Sequence, residues 1–199
     1  MSSSGKPARE RAIVSTLDVL ASALRLAMAD VPGNEDVTGV HPAASDMHPQ
    51  EATSPQFPLS LLTTGVDGWP VTSLLGPGEV VVVGEVQVRI ALWPTARANS
   101  NIVREERATL DFVFDGHFHQ LRLRALRRAP LVVVDASAPT LVCHELLLVE
   151  GEAQKVPYAE LTSGIRYRLT GDAACRRETA VRWRVQQAAL TRFAMPSAE

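Results

Sequence analysis

Within seven residues the chain places Thr95, Arg97, Asn99, Ser100 and Asn101. The surrounding stretch, "ALWPTARANSNIVREERATLDFVFDG", reads as a strand, a break at Pro94, a short polar helix and a second strand. The first N–H groups of a helix have no partner inside it, and the helix dipole is positive there, so an anion is favoured at that place. A hydroxyl, a guanidinium fork and an amide complete a phosphate cradle. Thr95, Arg97 and Asn101 are therefore the residues expected to grip one. The plain alternative is a capped helix with a surface arginine.

Other polar side chains suggest other chemistry. His117 and His119 are two apart on a strand, so both rings share a face; a metal would need a third ligand, from His144 or Glu145. A histidine pair beside a hairpin turn is more often an exposed cross-strand pair, and no metal site is assigned. Arg122, Arg124, Arg127, Arg128, Arg166 and Arg168 would make a basic stripe on two strands. Aromatic residues are only 5% of the chain, too few for base-stacking platforms, and the formal net charge is −2. These arginines are expected on a solvated sheet face or in ion pairs with acids around Glu145, Glu150 and Glu152, with no nucleic-acid partner. Cys143 and Cys175 have no CxxC partner and are expected as two buried thiols. P-loop, GxGxxG and GxSxG motifs do not occur.

The elements that must position these groups follow from periodicity. Ile13, Leu17, Leu20, Leu24 and Ala27 or Met28 form one helical stripe, which must dock either on its own barrel or on a partner subunit. Residues 31 to 58 hold five of the thirteen prolines and no lysine or arginine, which suits an extended connection. We therefore expect an N-terminal helical arm (1–30), a proline-rich linker (31–56) and one main domain (57–199). In that domain "PLSLLTTG" and "PVTSLL" flank the turn Val66-Asp67-Gly68, and two further strands meet at Gly84. A clear hairpin turns at Asp115-Gly116, and "CHELLLVEGEAQKV" and "SGIRYRL" supply the last strands. Asp172 caps a final helix whose apolar positions are Val181, Val185, Ala188 and Ala189. The expected fold is mainly β: a six- to eight-stranded antiparallel split barrel, with a short inserted helix and a C-terminal helix. Its expected core comprises Leu61, Val71, Leu74, Val81, Val83, Ile90, Leu92, Leu110, Phe112, Leu121, Leu123, Leu147 and Ile165. No run of apolar residues is long enough to span a membrane, and the helical N-terminus lacks a signal-peptide pattern, so a cytoplasmic location is expected.

The succession "LLTTGVDGWPVTSLL" and "VRIALWPTARANSNIVREERATLDFV" resembles the pyridoxamine 5′-phosphate oxidase-like family of FMN-binding split barrels. The resemblance covers about Phe57 to Arg128, and "YAELTSGIRYRL" with "RWRVQQAAL" resembles the ending of less characterised bacterial members. It implies FMN as cofactor, with Thr95, Arg97 and Asn101 at the phosphate and Thr72 and Ser73 at the isoalloxazine edge. It implies a homodimer with the ligand cleft at the seam, and flavin-dependent oxidoreduction of a small molecule. True pyridoxamine phosphate oxidases carry a basic phosphate grip on the second strand, whereas "VTSLLGPG" has none, which disfavours that substrate. The alternative is a non-catalytic split-barrel dimer that holds F420, haem or no cofactor.

Overall fold

A computed structural model describes residues 8–29, 58–133 and 140–196. Helix α1 (Ala8–Ala29) precedes strands β1 (Leu59–Thr64) and β2 (Pro70–Leu75). A single 3-10 turn (Pro77–Glu79) leads to β3 (Val80–Val83) and β4 (Gln87–Leu92). Then come α2 (Arg97–Glu105), β5 (Arg107–Phe114), β6 (His117–Leu131), β7 (Leu141–Gln154) and α3 (Ala173–Arg192). The seven strands make one antiparallel sheet in the order β2-β1-β5-β6-β7-β4-β3.

That order explains the shape. β2 and β3 are the two edges, yet only residues 76 to 79 separate them in the chain. Four residues reach at most about 17 Å across five peptide steps, so the sheet must roll its edges toward each other. The edges do not pair, and the barrel stays open. Register shifts in β6, between Arg122 and Leu123 and between Ala125 and Arg127, bend the long β6–β7 hairpin as bulges do. The fold is the expected split barrel, its sheet unclosed.

Leu59, Leu61, Val88, Ile90, Leu110, Phe112, Leu121 and Leu146 fill the interior. Leu17, Leu20 and Leu24 of α1 join the same cluster, so the helix docks on this chain's own sheet. Gly151 lets it approach β7: a Cβ there would stand 2.6 Å from Thr16 Oγ1. The linker and both its boundaries lie outside the described residues, as does the side chain of Ile13.

Three expectations need correction. Leu74 is 55% exposed and Val71 only half-buried, while Leu75 is buried. Positions 71 and 74 differ by three, so on a strand they cannot share a face. Second, "SGIRYRL" is no strand. It is irregular with one bridge at Tyr167, and Ile165 is exposed; Tyr167 and Leu169 instead pack near Trp183. Alternation puts two side chains on one side there, but among the described residues no neighbouring strand extends the single bridge into a ladder. Third, α3 buries Ala180, Trp183, Gln186 and Leu190, leaving Val181 and Val185 exposed. The cause lies across the interface. A Cβ on Gly76 would come within 2.7 Å of the Trp183 indole and one on Gly78 within 2.4 Å of the Trp183 Cβ, so Gly76 makes room for the ring and Gly78 for the helix backbone that carries it. The remaining core expectations are buried, apart from the half-buried Val83 and Leu147. Of the two free thiols, Cys143 is buried as expected and Cys175, in the first turn of α3, is exposed.

Candidate functional site

β4 ends at Leu92, and the chain reverses through a turn closed by Ala96 N–H donating to Trp93 O at 2.9 Å. Ala96 is the N-cap of α2 and offers no side-chain cap; Asn99 N–H donates to Ala96 O at 3.0 Å, which leaves the N–H groups of Arg97 and Ala98 without an intrahelical partner. Thr95 and Arg97 stand exposed at this turn. Helix α2 ends at Glu106, whose left-handed backbone (φ 54°) lets its N–H reach Ile102 O at 2.9 Å.

The turn is held from inside. Asn99 Nδ2 donates to Pro94 O at 3.1 Å, and Asn99 Oδ1 lies 2.6 Å from His144 Nε2. Only a protonated Nε2 suits that oxygen, which fixes the tautomer. Burial, with the charge of Arg128 nearby, pushes the His144 pKa down to about 4, so the ring is neutral at pH 7. A neutral imidazole on β7 thus braces the turn that carries Thr95 and Arg97.

The other end of α2 is fixed to the β1–β2 hairpin. Asn101 is buried, and its Nδ2 donates to Thr63 Oγ1 at 3.0 Å. Thr63 Oγ1 in turn reaches Val71 O at 3.5 Å. Asn101 Oδ1 accepts from the Arg104 guanidinium at 3.4 Å, and Arg104 also donates to Thr64 O. Arg97 and Asn101 are four positions apart on the helix, about 6 Å along the axis. Thr72 is exposed opposite Leu62, and the half-buried Ser73 is opposite Leu61. Successive strand residues point to opposite faces, so a ligand on one face meets one of these side chains and the backbone of the other. The structure therefore links Asn101 to the hairpin that bears Thr72 and Ser73, with Thr95 and Arg97 one helical turn away. Asn101's amide is engaged inside the protein, unlike the exposed groups of Thr95 and Arg97.

Behind this assembly lies a buried charge cluster. Arg89, Glu145 and Arg127 occupy one cross-strand row of β4, β7 and β6. Glu145 is fully buried; it accepts from Arg89 Nε at 2.9 Å and from Arg127. Arg89 Nη1 also donates to Leu190 O at 3.0 Å and Arg127 Nη1 to Pro196 O at 3.3 Å, so the row anchors the end of α3. Burial works to raise the Glu145 pKa, but the bonds from Arg127 and Arg89 outweigh it and hold the carboxyl below its usual range. Arg122 pairs with Glu150 at 2.8 Å, so two of the expected ion pairs are present.

The histidine pair is a different matter. His119 is buried, stacks on Phe112 at 4.8 Å and lies 3.2 Å from Phe114 O. Its register partner on β7 is Ala153, nine residues from His144 and so about 30 Å along the strand. Among the described residues no three His, Cys, Asp or Glu side chains converge. No described helix is long and apolar enough to cross a membrane.

Asn99, His144, Thr63 and Arg104 are the residues that sequence reasoning left unassigned here. Arg104 was findable, because it follows Asn101 by three positions and shares its helix face. The meeting of Asn99 with His144, 45 residues apart, has no sequence signal.

No protein-family model matches the chain. An uncharacterised Bacillus subtilis (strain 168) protein, YclD, is 29% identical over 109 residues, covering 55% of this chain and 69% of that one. Among solved structures, an F420 reductase is similar over 49% of this chain and 90% of its own, at 12% identity and a TM-score of 0.41. An FMN-binding protein from Syntrophomonas wolfei is similar over 71% of this chain and 93% of its own, at 8% identity and a TM-score of 0.40. A Clostridium acetobutylicum protein of the pyridoxinephosphate oxidase family is similar over 56% of this chain and 85% of its own, at 12% identity and a TM-score of 0.38. The solved structures it is similar to are thus pyridoxamine 5′-phosphate oxidase-like and FMN-binding split-barrel proteins, at low identity and low TM-score.

Proposed function

We propose that this chain is an FMN-binding protein, a flavin-dependent oxidoreductase acting on a small molecule as a cytoplasmic homodimer. The observation that carries the reading is the joint between α2 and the β1–β2 hairpin, made by Asn101, Thr63 and Arg104. It makes one rigid piece of an uncapped helix start with an exposed arginine and a strand with Thr72 and Ser73. Thr95, Arg97 and the first N–H groups of α2 would hold the phosphate, and Asn101 would keep that helix start in place. Thr72 and Ser73 would address the ring edge. Bound FMN supplies the redox chemistry, and the chain's residues bind and orient it. Trp69 at 72% and Leu74 at 55% exposure give the hairpin an apolar surface suited to a twofold mate.

A second reading is favoured by the absence of any basic residue on β2. On it the chain is a non-catalytic dimer that holds F420, haem or nothing. The absorbance of the purified protein separates the two: flavin bands support the first and a haem Soret band the second. Replacing Arg97 by alanine should weaken FMN binding by about 1.5–3 kcal/mol, the worth of a charge-assisted hydrogen bond. Equal FMN affinity in wild type and Arg97→Ala would remove Arg97 from the site.

A further inference from the structure

The ladder between β1 and β5 opens before either strand ends. Pairing joins Ser60, Leu61 and Leu62 to Asp111, Leu110 and Thr109. Two further steps would set Thr63 against Ala108 and Thr64 against Arg107. Instead these four residues line a cleft of about 320 Å3. Helix α2 takes over one ladder group here, because Arg104 donates to the Thr64 carbonyl, and Asn101 ties the Thr63 hydroxyl to the same helix.

The lining has a definite chemical character. Leu62, Pro70 and Leu123 give apolar walls, and Thr109 adds a hydroxyl. Arg107 and Arg122, 75% and 60% exposed, stand at the rim. Arg122 is the register partner of Thr109, and Arg107 lies two residues from Thr109 on the same face, so both guanidinium groups reach one end of the cleft. Each already carries a carboxylate: Glu105 at 3.4 Å from Arg107, and Glu150 at 2.8 Å from Arg122. Exposed pairs of this kind are weak and exchange readily for another carboxylate. The volume lies near the lower bound of small-molecule sites, which limits the occupant to about one ring.

We propose that this opening binds a small planar carboxylate, its ring between Leu62, Pro70 and Leu123 and its anion on Arg122 and Arg107. The site adjoins the proposed flavin residues, since Leu62 pairs with Thr72, but binding there needs no flavin. Benzoate is the probe and benzamide, of the same shape without charge, its control; binding is followed by calorimetry on the full chain. Benzoate should saturate and bind about tenfold more tightly than benzamide, a difference of about 1.4 kcal/mol. Arg122→Gln should erase that preference. Glu150→Gln, which releases Arg122 from its internal partner, should tighten benzoate several-fold. Both positions are exposed, and circular dichroism checks that the fold is kept. Lack of saturation at millimolar benzoate in both wild type and Glu150→Gln would overturn the proposal, as would equal affinity for the two probes. Because no flavin takes part, failure here leaves the FMN reading standing, and failure of FMN to bind leaves this one standing.

Discussion

Replacing Glu145 by alanine should lower the unfolding free energy by about 3 kcal/mol, the lower end of what breaking a buried pair costs. The lower end applies because Arg127, at 34% exposure, retains water, whereas Arg89 at 13% does not. Arg89 would keep only the Leu190 carbonyl, and an uncompensated guanidinium would stay under the end of α3. The loss comes from orphaned charge, not from a pair of great intrinsic worth. Exchanging all three members for apolar residues of similar size should therefore recover most of it. Urea unfolding of the single and triple variants checks both statements. The sign with pH follows from the depressed pKa of Glu145. Its stabilisation is complete above the unfolded carboxylate range and is lost as pH falls through the lower, folded value.

The second large effect belongs to His144 and falls in a different window. Its folded pKa of about 4 is below the unfolded value of 6.5, so the unfolded chain takes up the proton first. Stability from this group is thus complete above pH 6.5 and declines as pH falls toward 4. A shift of that size corresponds to about 3 kcal/mol at 1.36 kcal/mol per unit. The side chain is 1% exposed, so solvent screening removes little of it. His144→Gln keeps a donor for Asn99 and has nothing to protonate. Its unfolding free energy should fall less steeply than that of the wild type between pH 6.5 and 5, the remaining slope coming from His119, whose pKa burial also lowers. Parallel slopes in the two proteins would show that His144 does not contribute there.

The strand hairpins were legible because their signals are local. Asp115 and Gly116 adopt positive φ values of 47° and 69°, a backbone that the Asp-Gly pair accepts readily. The turn at Asp67 was equally open to reading, since its carboxylate accepts from Trp69 N–H two residues on. What failed was information held by a distant partner. Nothing in α3 says that Trp183 faces inward; that follows from a pair of glycines about a hundred residues earlier that leave room for it. The strand β7 was legible, but which of its side chains are buried was not, for a related reason. Cys143, His144, Glu145 and Leu146 are all buried, since the core covers one face of the strand and the end of α3 the other. A strand covered on both sides shows no alternation, and its two polar residues then resemble surface groups or metal ligands. In the candidate site, the clustering of polar residues after Pro94 was plain. The division of labour among them was not: Asn99 and Asn101 look alike in sequence, yet both brace the helix, while Thr95 and Arg97 face out.

On the proposed reading, the β4–α2 turn and β2 together hold a flavin phosphate and ring. Titration of the purified full chain with FMN, followed by flavin fluorescence, tests it most directly. Saturable quenching, displacement of the visible flavin bands, and competition by inorganic phosphate at the Thr95–Arg97 turn are expected. A fluorescence trace that stays linear to millimolar FMN, the same in wild type and Arg97→Ala, would contradict it.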